Sequence, residues 1–293
     1  MCLCFLAHVY KDFSSVQFCL VATEVPGRSW VFREVPGISG KFLVFPGVFL
    51  YSVNTKGEHM KIYEGKSRFT GENGIIQALL TGYKPGQPSS NTKTGPVVQL
   101  HILVKDENPK SAQESGKDAL VCGTCALRPI KVTPDKKPCY VRTRGELSAW
   151  KAHREEVPTF NAVEIMSRMG LRLGAYGDPA MLPEKVIRKL CVVANKFRPN
   201  HTGFTQRWRL KSNQWLRFFC MASVGSVAEA KEAHDLGWRT FRTRSAGEPI
   251  EPGEISCPAA KESGRRTTCQ QCVLCDGVRS GTDARKHITI LYH

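Results

Sequence analysis

A cluster of four cysteines near the carboxyl terminus is the feature that most constrains this chain. Cys257 is followed by Cys269, Cys272 and Cys275, and the last three are separated by strict two-residue gaps. A structural zinc site usually takes its ligands from two separated C-x2-C pairs, because each pair forms one tight turn around a single ion. Here the two pairs share Cys272, and such a run with one remote cysteine is typical of polynuclear iron–sulfur clusters. The spacing favours an iron–sulfur cluster; zinc, or thiols without metal, are the alternatives.

A second group of thiols lies in the middle of the chain. Cys122 and Cys125 form a C-x2-C turn, and Cys139 follows after a loop rich in proline and lysine. Three thiolates leave a fourth ligand to be found. Candidates for it are His153, Cys191, Cys220 and the cysteines of the C-terminal group. If the fourth position instead stays open, an iron–sulfur cluster here could bind and reduce a ligand, which would make this group catalytic.

Composition and charge narrow the class of protein. The chain has 293 residues with 41% apolar content, enough for a sizeable core, and a net charge of +16. A net positive charge of this size predicts an anionic partner, with DNA or RNA as the candidates. No run of 18 apolar residues and no secretory signal is present, so we expect a soluble, cytoplasmic protein without a membrane contact. In that compartment, clustered cysteines indicate metal ligands rather than disulfides.

The pattern predicts three regions. Residues 1–59 differ in character from the remainder, and Met60 opens a segment that resembles a natural protein start. We interpret 1–59 as a non-native extension from a misplaced start codon, or as an irregular N-terminal arm. Residues 60–118 form a β-rich segment, and residues 119–293 an α/β domain with both cysteine clusters.

Hydrophobic periodicity predicts the fold. Two apolar runs at 74–83 and 96–104 flank a polar turn and predict a β-hairpin with a long tip. Further along, strands alternate with helices. The predicted strands are 171–176, 203–208, 218–224, 238–243 and 287–292, and the predicted helices are 183–197 and 226–236. We therefore expect an α/β fold in which parallel β/α repeats form a partial or complete barrel, preceded by the hairpin and stapled by two cysteine-rich metal loops.

Ligands of such folds bind at the carboxyl ends of the strands. After the strand at 171–176 comes Gly177-Asp178-Pro179, and Ser223 ends the strand at 218–224. Asp178 is our candidate catalytic residue, accepting hydrogen bonds from an amino or hydroxyl group of a ligand. Gly177, Pro179 and Ser223 are candidate cofactor-binding residues. A turn of glycine, aspartate and proline also forms without any ligand, and that alternative stays open.

A basic and aromatic stretch follows the strand at 203–208. Arg207, Trp208, Arg209 and Lys211 could track a nucleic-acid backbone and stack its bases. The aromatic side chains would fit a core equally well. Cys191 and Cys220 stand among apolar neighbours and are predicted to be buried thiols.

The order of these motifs resembles an uncharacterised family of cysteine-rich proteins of bacteriophages and other mobile elements. The resemblance covers about residues 60–293. Its motifs are Cys122-x2-Cys125, Cys139-Tyr140, Leu173-Gly-Ala-Tyr-Gly-Asp-Pro179, Gly203-Phe-Thr205, Ala222-Ser-Val224, Gly237-Trp-Arg-Thr-Phe-Arg242, Cys257-Pro-Ala and Thr268-Cys-x2-Cys-x-Leu-Cys275. The family implies no established activity. This chain departs from it at Gln206, in a stretch where members tend to carry a histidine, and at Gly225, where they carry an acidic residue.

A weaker resemblance links the chain to radical S-adenosylmethionine enzymes. It implies that Cys122, Cys125 and Cys139 bind one iron–sulfur cluster, that the turn at Asp178 holds S-adenosylmethionine, and that the C-terminal cysteines bind an auxiliary cluster. The spacing C-x2-C-x13-C departs from the C-x3-C-x2-C of that family. Two function hypotheses therefore stand: a radical-type redox enzyme acting on a nucleic acid or nucleotide, and a non-enzymatic nucleic-acid-binding protein stapled by zinc or by clusters.

Overall fold

The structure is a computed structural model of the 293-residue chain. It describes residues 60–69, 73–83, 89, 91–129, 139, 141, 143–152, 166–264, 266–279 and 283–292, together with short strands before residue 60. The chain divides into two compact units, Met1–Lys56 and Gly57–His293. In the first, strand β1 (Leu3–Phe5) pairs antiparallel with β2 (Leu20–Ala22), and β3 (Lys41–Phe45) pairs antiparallel with β4 (Val48–Ser52). That residues 1–59 form a non-native extension stays a prediction.

The second unit is built on one nine-stranded sheet. Its strands are β5 (Met60–Lys66), β6 (Ile75–Thr81), β7 (Val98–Val104), β8 (Leu171–Tyr176), β9 (His201–Thr205), β10 (Met221–Val224), β11 (Thr240–Arg244), β12 (Glu254–Ser256) and β13 (His287–Leu291). Their spatial order is β12-β13-β11-β10-β9-β8-β7-β6-β5. The pairs β5–β6 and β6–β7 are antiparallel, and all other pairs are parallel.

Short helices connect the strands. They are α1 (Pro109–Ser115), α2 (Ala119–Cys122), α3 (Thr143–Ala152), α4 (Glu184–Ala194), α5 (Val227–Asp235) and α6 (Cys269–Cys272), with 3-10 helices at Pro179–Met181, Lys211–Phe218 and Lys261–Ser263. Within the described residues, no helix is both long enough and apolar enough to span a membrane.

The strand order explains the layering of the sheet. From β7 to β11, strands consecutive in the chain are also neighbours in the sheet. Parallel crossovers are right-handed, so consecutive ones place their connecting segments on the same face. The predicted α/β class, with a hairpin leading into parallel β/α units, is confirmed. The pairings of the described residues end at β5 and β12 and do not close the sheet into a complete barrel.

The two faces of the sheet pack into different cores. Ala222 and Val224 of β10 point into the main core, which also contains Ile187 and Leu190 of α4. Met221, the neighbour of Ala222, belongs to a second core with Cys257 and Ile288. This alternation follows from the two-residue period of a strand. The segment that begins at Cys257 therefore covers the face opposite to α4 and α5.

Candidate metal centres

The first thiol group lies at the carboxyl edge of the parallel strands. Helix α2 ends at Cys122, and Gly123 has a positive φ of 60° that turns the chain. The backbone N–H of Cys125 then donates to the carbonyl of Cys122 at 3.3 Å, which closes the predicted turn. Cys139 returns to this turn because its N–H donates to the carbonyl of Leu127 at 2.8 Å. The three free thiols are half-buried, and both Cys125 and Cys139 lie close enough to act electrostatically on Cys122.

A buried ion pair holds the first turn in place. Arg128 is 6% exposed and donates through Nε to Asp118 at 3.0 Å and through Nη1 to the carbonyl of Gly123 at 3.2 Å. Asp118 is 1% exposed and immediately precedes α2. The pair thus connects the start of α2 to the turn at Gly123. Neither residue was singled out from the sequence, where the signal available was an acid and a base of opposite charge flanking a C-x2-C motif.

Asp178 packs directly beside this turn. Its backbone N–H donates to the carbonyl of Val121 at 2.7 Å, one residue before Cys122. Gly177 has a φ of 78°, and a Cβ there would lie 2.8 Å from the Ile102 carbonyl oxygen, so a glycine is required. The turn at Asp178 therefore lies next to the first thiol group.

The carboxylate of Asp178 is engaged by the protein itself. It accepts hydrogen bonds from the Ala180 N–H at 2.9 Å, from Thr205 Oγ1 at 2.8 Å and from the Gln206 N–H at 2.8 Å. Burial raises the pKa of Asp178, and these donors oppose that shift. The bonds join the end of β8 to the end of β9, so the turn has a structural role. The predicted contact between Asp178 and a ligand stays a prediction.

Ser223 adjoins Asp178 through Gln206. Its hydroxyl accepts from Gln206 Nε2 at 2.8 Å, and its carbonyl accepts from Trp208 Nε1 at 3.2 Å. The carboxyl ends of β8, β9 and β10 therefore meet as the fold prediction required. Gln206 occupies the centre of this contact.

The four C-terminal cysteines line one recess. Cys257, Cys269, Cys272 and Cys275 form its wall together with Thr202, Pro258, Ala259, Val273, Leu274 and Ile288, and its empty volume, open mouth included, is about 270 Å³. Cysteines that are up to eighteen positions apart in the chain thus surround a common space.

Local structure explains how the last three of these cysteines are arranged. Thr268 caps α6, its side chain accepting from the Gln271 N–H while the Gln271 side chain returns to the Thr268 N–H. This capping box satisfies two otherwise free donors at the start of a one-turn helix. Val273 then takes a φ of 47°, a left-handed conformation that reverses the chain toward Cys275. The cysteine spacing therefore encodes one turn of helix and one reversal.

The recess is fastened to the sheet by the residues after Cys275. The Cys275 carbonyl accepts from the Gly203 N–H of β9 at 3.0 Å. Asp276, 3% exposed, pairs with Arg285 at 2.5 Å, with Arg279 at 2.7 Å and with Arg239 at 3.8 Å. Arg239 also donates to the carbonyl of Leu274 at 2.6 Å. This network was missed from the sequence, although an acid directly after the last cysteine with two arginines nearby was a usable signal.

Burial governs the acidity of the thiols in both groups. It raises the pKa of Cys122, Cys125, Cys139, Cys269, Cys272 and Cys275, and in the C-terminal group the neighbouring thiols raise it further. Thiolates bind metals and thiols do not, so loading either group must release protons. In the described part of the chain, no three Cys, His, Asp or Glu side chains are already placed around a single ion.

The structure describes every candidate for a fourth ligand of the first group except His153. Cys191 and Cys220 are 1% and 0% exposed and belong to the main core, which confirms the prediction of buried thiols. The C-terminal cysteines line their own recess. His153 lies outside the described residues.

The basic and aromatic stretch does not form one continuous surface. Trp208 is 0% exposed and packs in the main core, so its ring is not available to stack on a base. Arg209 is paired with Glu229 at 3.1 Å and with Glu232 at 2.7 Å. Lys211 is exposed, and Arg207 points to the first thiol group, where Nη1 donates to Thr124 Oγ1 at 3.1 Å. Of the predicted nucleic-acid residues, Arg207 and Lys211 keep charges without an ion pair in the described structure.

Comparison with known proteins adds no relative. No protein-family model matches the chain, and neither the curated proteins nor the solved structures gave a match.

Proposed function

We propose that this chain is an iron–sulfur protein with two cysteine-bound centres, and that it works as a redox enzyme similar to radical S-adenosylmethionine enzymes on a nucleic acid or nucleotide. The observation that carries the proposal is the common recess lined by Cys257, Cys269, Cys272 and Cys275. Four thiols around one space are the full ligand set of a [4Fe–4S] cluster.

The spacing of the ligands supports a cluster over a single ion. A structural zinc site usually takes its ligands from two separated C-x2-C pairs, whereas here the two pairs share Cys272. The other walls of the recess include Pro258, Leu274 and Ile288. Apolar walls limit the access of water, which is one of the factors that set the reduction potential of a cluster.

The first thiol group is the proposed reaction centre. Cys122, Cys125 and Cys139 supply three thiolates, one short of a complete set. They stand at the carboxyl edge, the position at which α/β enzymes bind their ligands. A cluster with an open iron would supply electrons to a ligand bound at that iron. The consecutive order of β7 to β11 is that of a barrel wall and supports the partial-barrel form of this proposal.

The turn at Asp178 would position S-adenosylmethionine in this account. Its backbone is bonded to Val121 beside Cys122, so a ligand at the open iron would lie within reach of the turn. The carboxylate of Asp178 already accepts from Ala180, Thr205 and Gln206. The turn would therefore orient the ligand through its backbone carbonyls. The role of the carboxylate is thus to hold the turn in shape.

Anaerobic purification followed by reduction and incubation with S-adenosylmethionine tests the proposal. We expect a brown protein that cleaves S-adenosylmethionine, and a Cys125→Ser variant that loses cleavage while keeping the C-terminal cluster. Cys191→Ser is the matched control, because Cys191 is a core thiol outside both groups. A brown protein that never cleaves S-adenosylmethionine would refute the radical-type activity and leave the cluster assignment intact.

One observation favours the second function, a metal-stapled nucleic-acid-binding protein. Helix α4 exposes Lys185 and Lys189, and Lys196 follows just after its end; none of the three has an ion pair in the described structure. A basic helix face of this kind can follow a phosphate backbone. A colourless protein with stoichiometric zinc that binds DNA or RNA would establish this function in place of the enzyme.

A further inference from the structure

We infer that Arg207 and Arg68 form a binding site for a phosphate group of the substrate, directly beside the first thiol group. The inference rests on the proposed function, since it names the substrate chemistry of that centre. The phosphate can belong to a free nucleotide or to a nucleic-acid strand, because both present the same group.

Arg207 lies across the thiol turn itself. A Cβ at Gly123 would be 2.4 Å from Arg207 Nη1 and 2.8 Å from its Cδ, so the side chain passes over the backbone between Cys122 and Cys125. Its guanidinium carbon is 5.6 Å from the centre of the Phe69 ring. The side chain is therefore held at a defined place, between an aromatic ring and the turn that carries two of the three thiols.

The guanidinium of Arg207 has unused hydrogen-bonding capacity. Nη1 donates to Thr124 Oγ1 at 3.1 Å, whereas Nη2 has no partner in the described structure and, unlike Nε, is not buried. The N–H groups of Nη2 are therefore free to donate to a ligand oxygen. Thr124 is exposed and, while it accepts from Arg207, its own hydroxyl hydrogen stays available to a ligand.

Arg68 brings a second positive charge to the neighbourhood of Phe69, whose ring the guanidinium of Arg207 contacts. It precedes Phe69 in the chain and donates to the carbonyls of Ala180 at 3.3 Å and Ser212 at 3.2 Å. Burial lowers the pKa of Arg68; Glu184 opposes this shift, and the charge of Arg207 adds to it. Two arginines that adjoin one aromatic residue favour an anion between them.

No carboxylate of the described residues forms an ion pair with either arginine. The charge of Arg207 lowers the pKa of Asp178, but the oxygens of Asp178 accept from Ala180, Thr205 and Gln206. The side chain of Glu184 is bonded to Arg188 at 2.6 Å. By contrast, the arginines that are buried most deeply, Arg128, Arg239 and Arg242, all pair with a carboxylate. Phosphate is the anion for which a pair of guanidinium groups is best suited, because it offers several oxygens to two planar donors.

Binding of adenosine monophosphate and of adenosine to the full chain, measured by calorimetry at fixed salt, tests the inference. We expect the monophosphate to bind at least about ten-fold more tightly, the value of one lost charged hydrogen bond, with inorganic phosphate as a competitor. Arg207→Gln should remove this difference, Arg68→Gln should reduce it, and Arg207→Lys should retain part of it. Arg198→Gln removes the same charge from an exposed site and should bind like the unmodified protein.

A fluorescent single-stranded oligonucleotide distinguishes the two sources of phosphate. Tight binding of the oligonucleotide alone, lost in Arg207→Gln, would assign the site to a strand. Equal losses of affinity in Arg207→Gln and Arg198→Gln would overturn the inference. Equal affinities for adenosine and adenosine monophosphate, together with oligonucleotide binding that does not depend on Arg207, would overturn it as well. Iron content measured on the same samples separates this failure from a failure of the proposed function, because Arg207 is not a metal ligand. Unchanged melting temperatures would show that the variants are folded.

Discussion

Asp276 is the residue that holds the C-terminal recess against the sheet. Its carboxylate is 2% exposed and faces Arg239, Arg279 and Arg285, and Arg239 in turn holds the carbonyl of Leu274 between two of the cysteines. A buried charge that loses its partner is strongly destabilising, because the remaining charge stays without water. The stability of the recess thus depends on a residue that need not touch a metal.

We therefore predict that Asp276→Asn lowers the free energy of unfolding by about 3 kcal/mol, the usual cost of breaking a buried pair. Urea unfolding followed by circular dichroism measures it. Asp235→Asn is the control, since Asp235 pairs with Lys231 on the exposed face of α5 and should cost less than about 0.5 kcal/mol. Equal effects of the two variants would contradict the role given to Asp276.

The partly buried His287 makes the stability of the protein depend on pH. Its ring stacks on that of His234 at 3.8 Å, Nδ1 accepts from the Thr240 N–H at 3.1 Å, and burial lowers its pKa to about 4. A histidine whose pKa is lower in the folded protein takes up its proton more readily when unfolded. Its contribution to stability is present above about pH 6.5 and is lost as pH falls toward 4. His287→Gln should flatten the fall in melting temperature between pH 6.5 and 4; an unchanged slope would contradict this.

At the scale of elements, the turns after the strands are the most constrained parts of the fold. Gly177 ends β8 with a φ of 78°, and its backbone is in contact with Ile102 and Val121. The turn positions Asp178, whose bonds connect β8 to β9. A change at this turn therefore affects two strands and the first thiol group together.

Gly177→Ala should destabilise the protein by about 2 kcal/mol or more, because the left-handed conformation and the contact with backbone atoms both oppose a Cβ. Gly247 offers a matched control, since nothing lies within 4 Å of a Cβ there. Thermal unfolding of both variants measures the difference. A melting temperature of Gly177→Ala equal to that of Gly247→Ala would show that the turn is not constrained as described.

Elements with a clear hydrophobic period were predictable from the sequence. Strand β8 was expected at its observed bounds, and α4 lies within the predicted 183–197. Helix α5 lies within the predicted 226–236, and Ser226 caps it, its hydroxyl accepting from the Glu229 N–H at 3.1 Å. β12 and α2 were missed because three or four residues are too few to show a period, and α1 and α3 because their sequences are mostly polar.

The residues of the candidate site were harder to predict from the sequence than the strands. The cysteines were found by their spacing, whereas Trp208, a candidate nucleic-acid residue, fills the core. The strand predicted at 203–208 ends at Thr205, because Gln206 and Arg207 turn to bond with Asp178 and Thr205. Contacts of this kind depend on residues far apart in the chain, and periodicity does not report them.

For the whole molecule, the central feature is the separation of two thiol groups on one sheet. The first lies at the carboxyl edge next to Asp178, and the second lies against the face opposite to α4 and α5, where it contacts Thr202 of β9. Each is anchored by its own buried ion pair, Arg128–Asp118 in one case and Arg239–Asp276 in the other. The two groups should therefore load metal independently.

The contents of iron and acid-labile sulfide per chain, measured on anaerobically purified full-length variants, decide whether the protein holds two independent iron–sulfur centres. We expect two clusters in the unmodified protein and in Cys191→Ser, one in Cys125→Ser, and one in Cys272→Ser. Visible spectra of the two single-cluster variants should add up to that of the unmodified protein. Stoichiometric zinc with no visible colour, or complete loss of iron in both single-site variants, would contradict the existence of two independent iron–sulfur centres.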